Sequence, residues 1–146
     1  MKIAIACDHG AYTLKETVKK HLTDKGYEVK DFGTNSAESC DYPDFAGPAA
    51  LAVAAGECEK GIVLCTTGIG VSITANKVKG IRCALLSDLL SARMTRQHND
   101  TNMMAMGAGI VGPNLALEIV DTWLTTEFEG GRHQRRVDKL MTYEGR

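Results

Sequence analysis

The stretch Gly61-Ile62-Val63-Leu64-Cys65-Thr66-Thr67-Gly68-Ile69-Gly70 decides the fold. Its first half is a short apolar, β-branched run, and its second half is a threonine–glycine turn that opens into helical periodicity. A strand handed through such a turn into a helix is the repeating unit of a parallel sheet covered on both faces. The alternation continues in both directions. Strands are expected at 2–7, 28–32, 61–65, 81–86 and 103–106, and helices at 12–25, 42–56, 71–77, 88–98, 114–125 and 133–143. Leu14, Val18 and Leu22 recur at four-residue spacing and Gly26 is a stop signal for the first helix. In the second, Pro43 and Pro48 fit a helix start better than its middle, while Phe45, Ala49, Ala52 and Val53 supply a packing face.

With 146 residues, 44% hydrophobic and 24% charged, the chain has the make-up of one domain, 1–146, with its own core. A formal net charge of −1, with Lys and Arg scattered until the C-terminal segment, predicts no nucleic acid or membrane partner and points to a small molecule. The five cysteines, an odd number without a C-x-x-C pair, are expected to be free thiols in a reducing compartment. The apolar start reaches Asp8 and His9 too early for a signal-peptide core, and no later run approaches the roughly 20 residues of a membrane span, so a cytoplasmic location is expected.

Ligands of open parallel sheets bind beyond the carboxyl ends of strands. Two strand ends stand out: Cys7-Asp8-His9, and Cys65 with the turn through Gly70. At the mouth of a helix N-terminus Cys65 can be held as a thiolate, although its position equally suits a small apolar residue ending a buried strand. Gly68 and Gly70 permit close backbone approach to an anion, as they would also serve turn geometry alone. Asp8 and His9 can transfer protons to a sugar, or Asp8 can simply cap the next helix. His98 sits at a helix end in the polar run His98-Asn99-Asp100-Thr101-Asn102, where it can act as an acid or merely offset the helix dipole. Arg132 and Arg136, four apart, share a face if the tail is helical and can clamp a phosphate; a solvated basic tail is the plainer alternative. His133 and Arg135 lie off that face. A zinc set of Cys7, His9, Cys65 and His98 can be drawn, but its spacing matches no metal pattern. Cys40, Cys58 and Cys83 read as packing or surface thiols, His21 as a helix-surface residue, and Met103, Met104 and Met106 as core filling.

Taken together, Cys7-Asp8-His9, Asp41-Tyr42-Pro43, the 65–70 turn with Ala75-Asn76-Lys77, residues 96–102 and Glu129-Gly130-Gly131-Arg132-His133-Gln134 resemble the type B ribose-5-phosphate isomerases across nearly the whole chain. That family also includes galactose-6-phosphate and allose-6-phosphate isomerases. The resemblance implies a single Rossmann-like α/β/α domain with a five-stranded parallel sheet, a metal-free reaction without cofactor, and active sites shared across a homodimer, with dimers that can pair into tetramers. It implies that Cys65 is the base and that Thr67, with Thr66 and the backbone of Gly68, Ile69 and Gly70, forms the enediolate pocket. Asp8, His9 and Tyr42 are implied to bind substrate. From the neighbouring subunit, His98 is implied to open the furanose ring, Asn99 to hold the sugar, and Arg132 and Arg136 to hold its phosphate, the segment 129–146 reaching across.

Two positions depart from the pentose-phosphate pattern. Thr66 stands where those members usually have glycine, and Gly109 where they usually have a phosphate-binding arginine. The expectation is a phosphosugar isomerase, with ribose 5-phosphate as leading substrate and a six-carbon phosphosugar as alternative, since a longer substrate would use space freed at 109. A non-catalytic sugar-phosphate-binding module is the rival from another class; it would need the glycine turn and the arginines but no thiol.

Overall fold

A computed structural model describes residues 1–146 and contains every expected strand and helix, with shifted ends. The order is β1 (Lys2–Cys7), a 3-10 turn (His9–Ala11), α1 (Tyr12–Asp24), β2 (Glu28–Asp31), α2 (Pro43–Ala54), β3 (Lys60–Cys65), α3 (Ile69–Asn76), β4 (Cys83–Leu85), α4 (Leu89–Asn99), β5 (Met103–Gly107), α5 (Pro113–Thr125) and α6 (Arg132–Met141). All strands pair in parallel, in the order β2-β1-β3-β5-β4. No helix is long and apolar enough to cross a membrane.

Strand alternation sends successive residues to opposite faces, and both faces are covered. Ile3, Ile5, Ile62, Leu64, Met104 and Met106 meet Leu14, Val18 and Leu22 of α1 and Ile119, Val120 and Trp123 of α5. Ala4, Ala6, Val63, Cys65, Met103 and Ala105 meet the alanine-rich face of α2 with Val71 and Ala75 of α3. Trp123 is fully buried and its indole N–H donates to Thr101 Oγ1 at 3.0 Å, so the largest side chain of the core carries no unpaired donor. His21 does more than face solvent: its Nε2 lies 2.8 Å from Asp121, tying α1 to α5.

Two expectations need correcting. Pro48 lies inside α2, not at its start, because the helix begins at Pro43. A proline there forfeits one backbone hydrogen bond, a cost the buried alanines on either side outweigh. The strand expected at 81–86 contracts to Cys83–Leu85, since side chains take the backbone groups a longer edge strand would pair. Asn102 accepts from Arg82 N at 2.8 Å, and the Asn76 amide both accepts from Cys83 N and donates to its carbonyl. Asn76 thereby closes the open edge of the sheet.

Lys15 is fully buried, with its ammonium bonded to both Asp31 oxygens, the Thr34 carbonyl and the Asn35 side chain at 2.7–3.0 Å. Burial alone would raise the Asp31 pKa, but Lys15, the Gly33 N–H and Lys19 outweigh it and hold the carboxyl below its usual range. Because the folded pKa is depressed, the stability this carboxylate contributes is present above the unfolded pKa and is lost as pH falls through the folded one. Lys15→Met should cost about 1.5–3 kcal/mol, since it leaves the half-buried Asp31 carboxylate with only Lys19 and the Gly33 N–H. Urea unfolding should show this loss at pH 7 and a smaller one at pH 3. Equal losses at both pH values would contradict the ion-pair account.

Candidate active site

β1 leaves the sheet toward β2 through α1 on one face, whereas β3 leaves toward β4 through α3 on the other. Neighbouring strands departing in opposite directions open a crevice at their carboxyl ends, and the chain places Asp8 and His9 on one side of it and residues 65–70 on the other.

Cys65 is 6% exposed, and its Sγ accepts the Gly68 N–H at 3.1 Å. Gly68 is the N-cap of α3 in the left-handed region (φ 80°). A Cβ there would stand 2.7 Å from the Met106 carbonyl carbon, so glycine is required both for φ and for contact with β5. Thr67 Oγ1 accepts from Ile69 N at 3.2 Å, leaving its hydroxyl proton free, and the first turn of α3 directs its partial positive charge into the crevice. Tyr42 closes the flank: its ring packs so tightly on Gly70 that a Cβ would come within 2.7 Å. By contrast, burial, opposed by Lys15, pushes Cys7 up to about 12, and burial also raises Cys58, so both stay protonated near neutral pH.

Asp8 does cap the following turn, accepting from Gly10 N at 2.9 Å through Oδ1, while its second oxygen is uncommitted. His9 is exposed and its Nδ1 accepts from Cys40 N at 3.2 Å, which fixes the tautomer with the proton on Nε2.

His98, Asn99, Arg132 and Arg136 form a second group elsewhere. α4 starts beyond the carboxyl end of β4 and runs back along the sheet for its 11 residues, about 16 Å at 1.5 Å per residue. His98 and Asn99 therefore lie toward the opposite end of the sheet from Cys65. His98 is not needed to offset the helix dipole, because Arg82 donates to the Asn99 and Asp100 carbonyls there. Its ring stacks on His133 instead, with centroids 4.3 Å apart and planes at 12°. Glu129 stands 3.8 Å from His98 and 3.4 Å from His133. Burial, His98 and Arg132 hold the His133 pKa below its usual value. Arg132 and Arg136 are both exposed on α6, as the helical spacing anticipates.

The His133–Glu129 partnership was missed in the sequence, although Glu129 and His133 are four residues apart. The atoms of His98, Glu129 and His133 come within 4.8 Å of one another, as a metal set would. Imidazole lone pairs lie in the ring plane, however, and two rings stacked 4.3 Å apart with planes at 12° hold them in near-parallel planes, which suits one metal centre poorly. The set Cys7, His9, Cys65 and His98 is not brought together: Cys7 faces the α1/α5 layer, Cys65 the α2/α3 layer, and His98 the far end of α4.

A buried thiol under a helix N-terminus at a sheet switch point defines the class: a Rossmann-like α/β protein with a small-molecule site at the strand ends. The comparisons narrow it further. Residues 3–140 match the ribose/galactose isomerase family, and the chain belongs to that family. It is 51% identical to ribose-5-phosphate isomerase B of Escherichia coli K12, covering 99% of this chain and 97% of that one. It superposes on the solved ribose-5-phosphate isomerase B of Clostridium thermocellum with TM-score 0.97 at 56% identity, over 99% and 97% of the two chains. A Mycoplasma genitalium ribose-5-phosphate isomerase B with bound ribulose 5-phosphate gives TM-score 0.95 at 42% identity, over 98% and 95%.

Gly107 lies against the same turn: a Cβ would meet the Thr67 carbonyl carbon at 2.5 Å and the Thr66 carbonyl oxygen at 2.7 Å. Both are backbone atoms that cannot swing aside. Gly107→Ala should lower unfolding free energy by about 1–3 kcal/mol through overpacking. An unchanged urea midpoint would show that the two turns are not in contact.

Proposed function

We propose that this chain is an aldose–ketose isomerase interconverting ribose 5-phosphate and ribulose 5-phosphate through a cis-enediolate, with Cys65 as the base. The observation that carries the reading is the Gly68 N–H directed at the Cys65 sulfur beneath the α3 N-terminus. A proton next to a carbonyl needs a base within reach and donors for the oxyanion that develops, and this turn offers both. Its membership in the ribose/galactose isomerase family and the bound ribulose 5-phosphate of the Mycoplasma relative support the substrate. A binding module would have no use for this thiol. The absence of any disulfide among the five cysteines suits a reducing cytoplasm.

In the proposed reaction an acid, His98, protonates the ring oxygen as the C1–O4 bond breaks and the C1 hydroxyl loses its proton. Cys65 thiolate then takes the proton from C2, and the electrons settle on O1, which faces the Thr67 hydroxyl and the N-terminal end of α3, the Gly68 amide being held by the sulfur and the Ile69 amide by Thr67 Oγ1. The Cys65 thiol, exchanging with water, then returns a proton to C1 while O2 gives up its proton and O1 takes one up, which completes the ketose. Asp8, His9 and Tyr42 flank the sugar, Asn99 holds a hydroxyl, and Arg132 and Arg136 grip the phosphate.

These residues cannot all act within one chain, because α4 carries His98 away from Cys65. We infer a homodimer in which each site takes its thiol from one subunit and His98, Asn99 and the two arginines from the other. Apolar residues left exposed beside both groups, Ile69 and Ile73 on α3 and Leu85, Leu90 and Met94 around α4, fit an interface that buries them.

Cys65→Ala should abolish isomerisation while substrate affinity stays within about tenfold, since the thiol acts on the transition state. Activity above a few per cent of wild type would overturn the base assignment. Mixed Cys65→Ala and His98→Ala subunits, equilibrated in equal amounts, should regain about a quarter of the wild-type activity, because half the dimers then hold one intact site. No recovery in verified heterodimers would place each site within one chain.

A further inference from the structure

The Thr66 side chain meets two glycines from other turns. A Cβ on Gly10, just after β1, would lie 2.3 Å from Thr66 Oγ1, and a Cβ on Gly109, just after β5, would lie 3.1 Å from Thr66 Cγ2 and 3.1 Å from its carbonyl oxygen. Neither glycine has a positive φ, so space and not backbone conformation limits a side chain at both positions, severely at Gly10 and by a few tenths of an ångström at Gly109. The branched side chain thus bridges the strand-end crevice from the Asp8-His9 turn to the β5 turn, one residue from Cys65. Its surface is exposed to whatever occupies the crevice. The room that a longer sugar was expected to find at position 109 is filled from the side by Thr66.

We propose that Thr66 is a specificity-determining residue that shortens the sugar end of the site, so that phosphosugars of five carbons or fewer are taken in preference to six-carbon ones. The inference rests on the isomerase reading and adds a size limit to it. Hydroxyl and methyl act on different walls: Oγ1 stands over Gly10 and Cγ2 over Gly109. With C1 and C2 held at Cys65, the added hydroxymethylene of a longer sugar competes for the space these two groups bound. The glycines are part of the same device, since a side chain at Gly10 would collide with Thr66 Oγ1 and one at Gly109 would crowd its Cγ2. A side chain at position 109 therefore competes with Thr66 for space.

The test compares kcat/KM for ribose 5-phosphate and allose 6-phosphate in wild type, Thr66→Gly and Thr66→Ser. Thr66→Gly should raise the ratio of six- to five-carbon efficiency by about tenfold or more, the range expected for one carbon's worth of pocket. Thr66→Ser, which keeps Oγ1 and loses Cγ2, should give a smaller rise. A ratio within about twofold of wild type in both variants overturns the proposal, twofold being well short of what one methylene is worth. A wild-type protein that turns over ribose 5-phosphate with such an unchanged ratio overturns this inference alone. One that turns over no phosphosugar overturns the isomerase reading and this with it. Urea unfolding supplies a readout independent of activity: Gly109→Ala should be destabilising in the wild-type background and markedly less so beside Thr66→Gly. Strict additivity of the two changes would show that the side chains do not compete for one space.

Discussion

The structure depends on backbone packing against backbone where β3 and β5 end. The Ala108 N–H donates to the Cys65 carbonyl and the Gly109 N–H to the Thr66 carbonyl, both at 2.8 Å, which extends the β3–β5 ladder past the last strand residue. Such an approach excludes side chains, hence Gly68 and Gly107 on the facing turns. Held this way, the turn presents the Gly68 amide to the Cys65 sulfur without any induced rearrangement. The donor to the sulfur is thus in place before any substrate arrives, as preorganised electrostatic stabilisation requires.

The same topology that builds the thiol's surroundings denies them an acid and a phosphate clamp. A right-handed crossover returns each helix toward the amino ends of the strands, so anything at the end of α4 lies remote from the carboxyl edge. The chain concentrates its second set of groups there. Arg82 and Arg96 secure the α4 terminus, with Arg96 donating to the Asp100 side chain and the Thr101 carbonyl, and α6 brings His133 against His98. In the proposed homodimer these two groups are half-sites, and assembly of the subunits is a condition of activity.

Much of this was legible in the sequence because strand and helix periods differ. Residues 61–70 announced a strand, a turn and a helix, and the apolar runs at 2–7 and 103–106 fell on the flanking central strands β1 and β5. The sheet edges were harder to read. β4 is cut short by Asn76 and Asn102, whose side chains replace ladder partners, and nothing in local composition marks an asparagine for that task. In sequence Lys15 is one of several lysines of α1, and only the fold brings Asp31 and Thr34 around it. Candidate site residues are readable through their motifs, but the competition between Thr66 and the glycines at 10 and 109 spans three turns and is visible only in space.

The central claim is that Cys65 moves a proton between carbons at a site open to water, since Thr66 and Thr67 beside it are exposed. Its most direct test is isomerisation of ribose 5-phosphate in deuterium oxide, with the label at C1 of ribulose 5-phosphate read by NMR. The account predicts deuterium at C1 in the wild-type reaction and none above background with Cys65→Ala. Isomerisation with complete retention of the original hydrogen, or exchange undiminished by loss of the thiol, would contradict it.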